Sequence, residues 1–329
     1  MIEIGYSALG ISLPLFVAER RGLFAEQGLA VKLRAFPTAH PLVEAIVHDG
    51  GPACGGYAAF PIAFHRHLNA KPLHYAGAVL EDSGHPISFL LVREGSGIDS
   101  IEDLADRKVG VLPTKAYREW LKLLGARHGL GYHQIEMDST CRCMDAGEER
   151  CASGRPTMKV YDVAPDQTLA MLAAGEVDAV FTNDPGATTA VEAGVAQVWG
   201  DEPILPALLT DPHYFGSFLF DSAFVAERRD ATTRIVRALD SAIRIVREEP
   251  RLARLCATGY LPAGCSDLAS GLGQPRFMTS EEVDEVHMQE MADSLDAHRI
   301  VRGRVKMAPS ILRAAAAPTL PRLSSTTSG

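Results

Sequence analysis

Pro14-Leu15-Phe16-Val17-Ala18-Glu19-Arg20-Arg21-Gly22-Leu23-Phe24-Ala25-Glu26-Gln27-Gly28-Leu29 sets the pattern of the first hundred residues. The apolar run from Leu15 turns polar at Glu19, so a helix over 15–22 ends on the basic turn Arg20-Arg21 and a C-terminal glycine. A strand follows over 29–35, where Leu29, Val31 and Leu33 alternate with polar neighbours. Upstream, Ile2 to Tyr6 is a strand. Downstream come a helix over 40–48 with Leu42, Val43, Ile46 and Val47 on one face, a short third strand beginning or ending at Cys54–Tyr57, and a helix over 60–68. Strands over 73–80 and 87–93 close the segment. The β-α-β-α order predicts a mostly parallel sheet with helices on both faces.

A second unit begins at Ser100-Ile101-Glu102-Asp103-Leu104, a serine-capped helical turn, followed by a buried strand over 108–112. Pro113-Thr114-Lys115 opens a helix reaching about His128, striped by Trp120, Leu121, Leu123 and Leu124. Residues 137–156 break this rhythm with a polar, cysteine-bearing insertion. The pattern resumes with strands over 158–163 and 177–181 around a helix over 166–174. A strand over 215–220 and a long helix over 230–247, striped by Ile235, Val236, Leu239, Ile243 and Val246, follow. From about Ala315 the chain is rich in Ala, Pro, Ser and Thr and reads as a disordered tail.

The 329 residues suit two domains of roughly 100–200 residues each. With 47% hydrophobic and 22% charged residues the composition is that of a soluble globular protein. No run approaches the roughly 18–20 apolar residues of a membrane span. The net charge of −9 argues against nucleic acid or an anionic membrane as main partner.

Three segments in this order carry a family resemblance: residues 14–29, Ser100 to Val111 (SIEDLADRKVGV), and Leu172 to Phe181 (LAAGEVDAVF). The chain resembles the substrate-binding proteins of sulfonate, nitrate and thiamine-precursor ABC transporters over about residues 1–250. That resemblance implies an α/β, two-lobed type II periplasmic-binding-protein fold, with mostly parallel sheets, helices on both faces and a ligand cleft between the lobes. It implies a first lobe of residues 1–92 and 214–314, and a second lobe of 93–213 that carries the insertion at about 138–156. The tail is 315–329. Hinge closure on a small-molecule ligand, anionic or heterocyclic, is the expected function, with an ABC permease as partner if the protein serves transport. Pro185-Gly186 and Phe215-Gly216-Ser217 are expected to supply flexible backbone near the crossings between lobes.

In this architecture ligands meet the loops after strands and the N-termini of helices. The candidates are Ser7 and Ser12 after the first strand, Gly55, Gly56 and Tyr57 at the third, His85 near the hinge, and Thr114 and Lys115 at the second-lobe helix. Asn183 and Asp184 after a second-lobe strand and Gly216 and Ser217 on the returning strand complete the set. Each has a plainer alternative. Thr114 is equally a helix N-cap, and Ser7 and Ser12 are equally turn residues. His65 and His67, two apart, do not share a helix face.

Cys141, Cys143 and Cys151, spaced C-x-C-x7-C, are candidates to hold zinc or iron, with Asp138, Asp145, His128 or His133 as a fourth ligand. A surface loop of free thiols and a local disulfide are the alternatives. The cluster keeps an enzyme in view, because thiamine-pyrimidine synthases and aryl-sulfinate desulfinases share this fold. The desulfinases use a cysteine just after the first strand, where this chain has Ala8-Leu9-Gly10. Met1 leads directly into Ile2-Glu3-Ile4 without a basic or apolar leader. The expected location is therefore the cytoplasm, with a periplasmic or membrane-anchored protein as the alternative if a leader has been removed.

Overall fold

The computed structural model describes residues 1–48, 50–135, 155–262 and 275–314, and its strands fall into two sheets. The chain opens with β1 (Ile2–Ser7), α1 (Leu13–Arg20), α2 (Leu23–Glu26), β2 (Val31–Phe36), α3 (Ala39–Val47), β3 (Cys54–Ala59), α4 (Phe60–Asn69) and β4 (Leu73–Glu81). β5 (Phe89–Arg93), β6 (Lys108–Val111), α5 (Lys115–Arg127), β7 (Gly131–Gln134), β8 (Thr157–Asp162), α6 (Thr168–Ala173), β9 (Ala179–Thr182), α7 (Gly186–Glu192), β10 (Ala196–Val198) and α8 (Ile204–Leu208) follow. The chain then returns through β11 (His213–Asp221), α9 (Ser222–Glu227), α10 (Arg229–Glu248), α11 (Pro250–Leu255), β12 (Arg276–Met278), α12 (Glu285–Ala297) and β13 (Ile311–Leu312).

The first sheet runs β12-β4-β11-β3-β1-β2, with β13 on β4, and the second runs β10-β5-β9-β6-β8-β7. β1 lies parallel to β2 and β3, whereas β11 is antiparallel to both β3 and β4. In the second sheet β6, β7, β8 and β9 run parallel and β5 is antiparallel to β9. Each sheet therefore receives one reversed strand just after the chain has crossed from the other. The crossings lie between Glu81 and Phe89 and between Leu208 and His213. The sequence places 87–93 before the first crossing; its strand pairs instead in the second sheet, Phe89 opposite Thr182.

The glycines expected to loosen the crossings do a different job. Gly216 sits within β11 beside a register shift, and a Cβ there would stand 2.4 Å from the Ala58 carbonyl oxygen. Gly186 opens α7, where a Cβ would meet the Pro165 carbonyl oxygen at 2.9 Å. Both permit close backbone approach. α10 carries the expected stripe: Ile235, Val236, Leu239, Ile243 and Val246 are all buried, each worth about 1.5–3 kcal/mol of removal from water. On α5, Trp120, Leu121 and Leu124 are buried and Leu123 half-buried. No helix among the described residues is long and apolar enough to cross a membrane.

Candidate functional site

The C-terminal ends of β1, β4 and β9 and the first turn of α5 converge where the two sheets meet. The Gly10 N–H donates to the Asp184 carbonyl at 3.1 Å, tying the loop after β1 to the loop after β9. Around this bridge lies buried hydrogen-bonding capacity that the protein leaves unused. Ser7 is fully buried and its Oγ has no partner. The Tyr117 hydroxyl lies against the Asn183 side chain, yet neither it nor Asn183 Oδ1 completes a hydrogen bond of normal geometry. Trp120 Nε1 and both ring nitrogens of His213 are likewise buried and unpartnered. A buried polar group without a partner costs about 1–3 kcal/mol, so polar atoms gathered at one junction make it the candidate site.

Aromatic rings pack around these polar groups. The Tyr117 ring meets Trp120 at 5.2 Å and Phe181 at 5.0 Å between centroids. Trp120 in turn meets Phe215 at 5.3 Å and His213 at 5.9 Å. Burial pushes His213 down to about 3, so the imidazole is neutral at physiological pH. Glu81, the last residue of β4, is also fully buried and accepts hydrogen bonds from Ile87 N at 3.3 Å, Ser88 N at 3.0 Å and Ser88 Oγ at 2.7 Å. Burial raises its carboxyl to about 7 against those three bonds.

The candidates named from sequence separate into groups. Ser7, Asn183 and Asp184 reach the junction, whereas Lys115 at the start of α5 neighbours Glu119 on its own helix and Arg66 on α4. Ser12 turns back: its hydroxyl donates to the Ser7 carbonyl at 2.7 Å. Thr114 is the N-cap of α5, accepting from Tyr117 N at 3.3 Å. The Asp184 carboxylate accepts from Thr188 N and Oγ1 at 3.0 and 2.7 Å. Gly55, Gly56 and Tyr57 occupy the interior of β3, not the loop after it, and a Cβ on Gly55 would meet Ile46 at 2.6 Å. Tyr57 packs against Phe218 and Phe277 in the core. Ser217 Oγ is spent on the Gly77 carbonyl at 2.7 Å. His85 pairs with Asp82 at 2.8 Å and lines a cavity of about 370 Å³ that shares no lining residue with the floor. His67 Nδ1 accepts from Leu73 N at 3.1 Å, a structural role, whereas His65 lies near Lys115.

The chain matches the sequence model of the NMT1-like family over residues 1–258. It belongs to the NMT1-like family. Among solved structures this NMT1-like chain is similar to the alkanesulfonate-binding protein SsuA from Xanthomonas axonopodis pv. citri bound to MOPS, with a TM-score of 0.66 at 18% identity, covering 95% of this chain and 98% of that one. The periplasmic aliphatic sulphonate binding protein SsuA from Escherichia coli gives 0.65 at 16% identity, over 96% and 93%. The desulfurization enzyme DSZB gives 0.59 at 16%, over 95% and 97%. No curated protein matches. Identities this low establish the fold, which is the two-lobed periplasmic-binding type that residues 14–29, 100–111 and 172–181 resemble.

Cys141, Cys143, Cys151, Asp138 and Asp145 lie outside the described residues. Of their suggested partners, His128 Nδ1 bonds Glu102 Oε1 at 2.8 Å. No cluster of three metal-ligating side chains occurs among the described residues. Of the two described cysteines, Cys54 is buried in β3 with its thiol pushed up by burial, and Cys256 is also raised by burial, so neither is an activated thiolate. Sequence reading passed over Glu81, Tyr117, Trp120 and His213 as candidates. Tyr117 had a signal, being in the opening turn of a helix already singled out; the other three depend on long-range packing.

Proposed function

We propose that this NMT1-like chain is a solute-binding protein that captures a small hydrophilic molecule at the floor of the interlobe cleft and closes around it. The observation that carries the reading is the convergence at one junction of buried Ser7, Tyr117, Asn183 and His213, whose Ser7 Oγ, Tyr117 hydroxyl, Asn183 Oδ1 and His213 ring nitrogens complete no hydrogen bond of normal geometry. A solute offering donors and acceptors there recovers hydrogen bonds that folding leaves unmade. The connections 82–88 and 209–212 serve as the hinge, dividing a discontinuous first lobe from an inserted second one. The neighbours support this: one was solved bound to MOPS, and another is a periplasmic sulphonate binding protein. They also favour a periplasmic location and a membrane permease as partner over the cytoplasmic location expected from the N-terminus. An anionic or heterocyclic solute fits a junction whose buried polar groups are neutral donors and acceptors.

The test is a thermal-shift screen of anions and heterocycles, followed by solution scattering on the best compound. A cognate solute raises the melting temperature by mass action and lowers the radius of gyration. A particle whose dimensions and melting temperature no compound changes contradicts the reading. The DSZB likeness admits an enzyme on the same scaffold, but the described cysteines supply no nucleophile.

A further inference from the structure

Away from the cleft floor, a cavity of about 180 Å³ lies by the edge strand β10 of the second sheet, between the crossing 82–88 and the segment 198–204 that leads into α8. Its apolar lining includes Pro86 of the crossing, the buried Phe89 and Ile204, and the half-buried Trp199. Its charged lining is Asp201 and Glu202, both exposed. No Lys, Arg or His lines the cavity, and neither carboxylate makes an ion pair within 4 Å among the described residues. The Trp199 indole is pinned: Nε1 donates to the Asp99 carbonyl at 3.2 Å, and the backbone N–H donates to the Leu90 carbonyl at 2.8 Å. Ser88 also lines the cavity, but its hydroxyl is spent on Glu81 Oε1 at 2.7 Å.

Two exposed carboxylates alone are ordinary solvated surface. Here they share one hollow with a fixed tryptophan ring and an apolar wall, and that combination selects by charge and by shape. A cation over an indole face is attracted by the ring quadrupole, tryptophan being the best of the aromatic side chains for this. The same cation forms charge-assisted hydrogen bonds to carboxylates. An anion is repelled by both carboxylates, and a neutral apolar group leaves their charge unanswered. The net charge of −9 further favours the approach of cations. Sites for drug-sized ligands run to about 300–1,000 Å³, so a hollow of about 180 Å³ suits a short chain.

We infer that this cavity is a binding site for a small organic cation, a guanidinium or primary ammonium on a short alkyl chain. The charged end meets Asp201 and Glu202, and the chain lies along Trp199, Pro86 and Ile204. The site is separate from the floor, with which it shares no lining residue, and it does not depend on what the cleft binds. Because Pro86 belongs to the first crossing, an occupant touches the connection between the lobes without entering the cleft.

The probe is n-butylguanidinium chloride, titrated into the whole chain in low salt, with n-butanol and sodium chloride as controls. Of the two tryptophans, Trp120 is fully buried and Trp199 borders the cavity, so tryptophan emission reports occupancy and calorimetry gives the affinity. Wild type is expected to show a saturable change with the guanidinium that neither control reproduces, weakening as salt screens the exposed carboxylates. The double variant Asp201→Asn/Glu202→Gln is expected to bind about tenfold more weakly. Trp199→Phe, followed by calorimetry, is expected to lose about threefold. Asn183→Ala, at the floor, is expected to bind the probe like wild type. A response that does not saturate, an equal response to butanol, or undiminished binding by the double variant overturns the site. Loss of probe binding in Asn183→Ala also overturns it, by placing the cation in the cleft.

Discussion

Two polar groups flank the same crossing, 82–88, and they are built in opposite ways. On one side, Asp82 accepts from Gly84 N at 2.9 Å, His85 Nδ1 at 2.8 Å and Arg276 at 3.5 Å. Nearby, Arg247 grips Glu282 through two bonds of 2.8 Å and reaches the Phe277 carbonyl through Nε at 3.0 Å. The Arg247 pairing, with Thr279 assisting, holds the Glu282 carboxyl down at about 2. On the other side, Ser7, Tyr117, Asn183 and His213 are more deeply buried and unpartnered. The saturated side is more exposed and more strongly charged, so it looks more like a site in a list of residues. Its carboxylates are already engaged by protein donors. Hydrogen-bonding capacity left unspent under burial is the better mark of a binding surface.

The largest effect expected from breaking this contrast is at Glu81, between the two groups. Its folded-state carboxyl titrates near 7, above the ordinary 4.5. The stability tied to its proton is therefore fully present below about pH 4.5 and lost as the pH rises through 7. Glu81→Gln stays neutral at every pH, so it should gain on wild type by up to about 3 kcal/mol between pH 5 and pH 8. Chemical denaturation at the two pH values measures this, and a pH-independent difference would show that Glu81 is not buried as described. His213 has the opposite sense, its stability being lost as the pH falls from 6.5 toward 3, and it is common to both proteins.

A smaller effect is expected from Tyr117→Phe, which removes one unpartnered hydroxyl. Stability should rise by about 1 kcal/mol, since a buried group without a partner is gone. Affinity for the cognate solute should fall about tenfold. A variant that loses stability and keeps affinity would place that hydroxyl outside the site. Arg247→Ala, on the saturated side, should cost about 1 kcal/mol of stability, modest because the pair is partly exposed, and leave solute affinity unchanged. His85→Ala, whose ring is 42% exposed, should move stability by no more than about 0.5 kcal/mol. Melting curves with and without solute separate these two from the floor variants.

What the sequence made legible follows from the range of the interactions. α1, α5 and α10 are local patterns of capping and apolar period, and they lie within a few residues of their expected bounds. Ser7 and Asn183 were reachable by the rule that sites follow strand ends. Gly55, Gly56 and Tyr57 were misplaced because the strand containing them has too few apolar–polar alternations to show where it stops; β3 continues to Ala59. Gly216 and Ser217 resemble a flexible hinge in composition, but their conformation is set by pairing with Ala58 and Ala59 on one side and β4 on the other. His213 and Glu81 could not be read as neighbours, because only the antiparallel register of β4 and β11 sets them opposite each other. The same holds for Trp120, whose helical stripe signals burial without revealing that His213 and Phe215 lie beneath it.

The central claim is that solute is held by the unpartnered floor and not by the saturated network behind the hinge. Titration calorimetry of the strongest compound from the thermal screen, against wild type, Asn183→Ala and Arg247→Ala, tests it most directly. The account predicts that Asn183→Ala binds about ten- to a hundredfold more weakly while Arg247→Ala binds like wild type. Undiminished binding by Asn183→Ala together with loss in Arg247→Ala would contradict it.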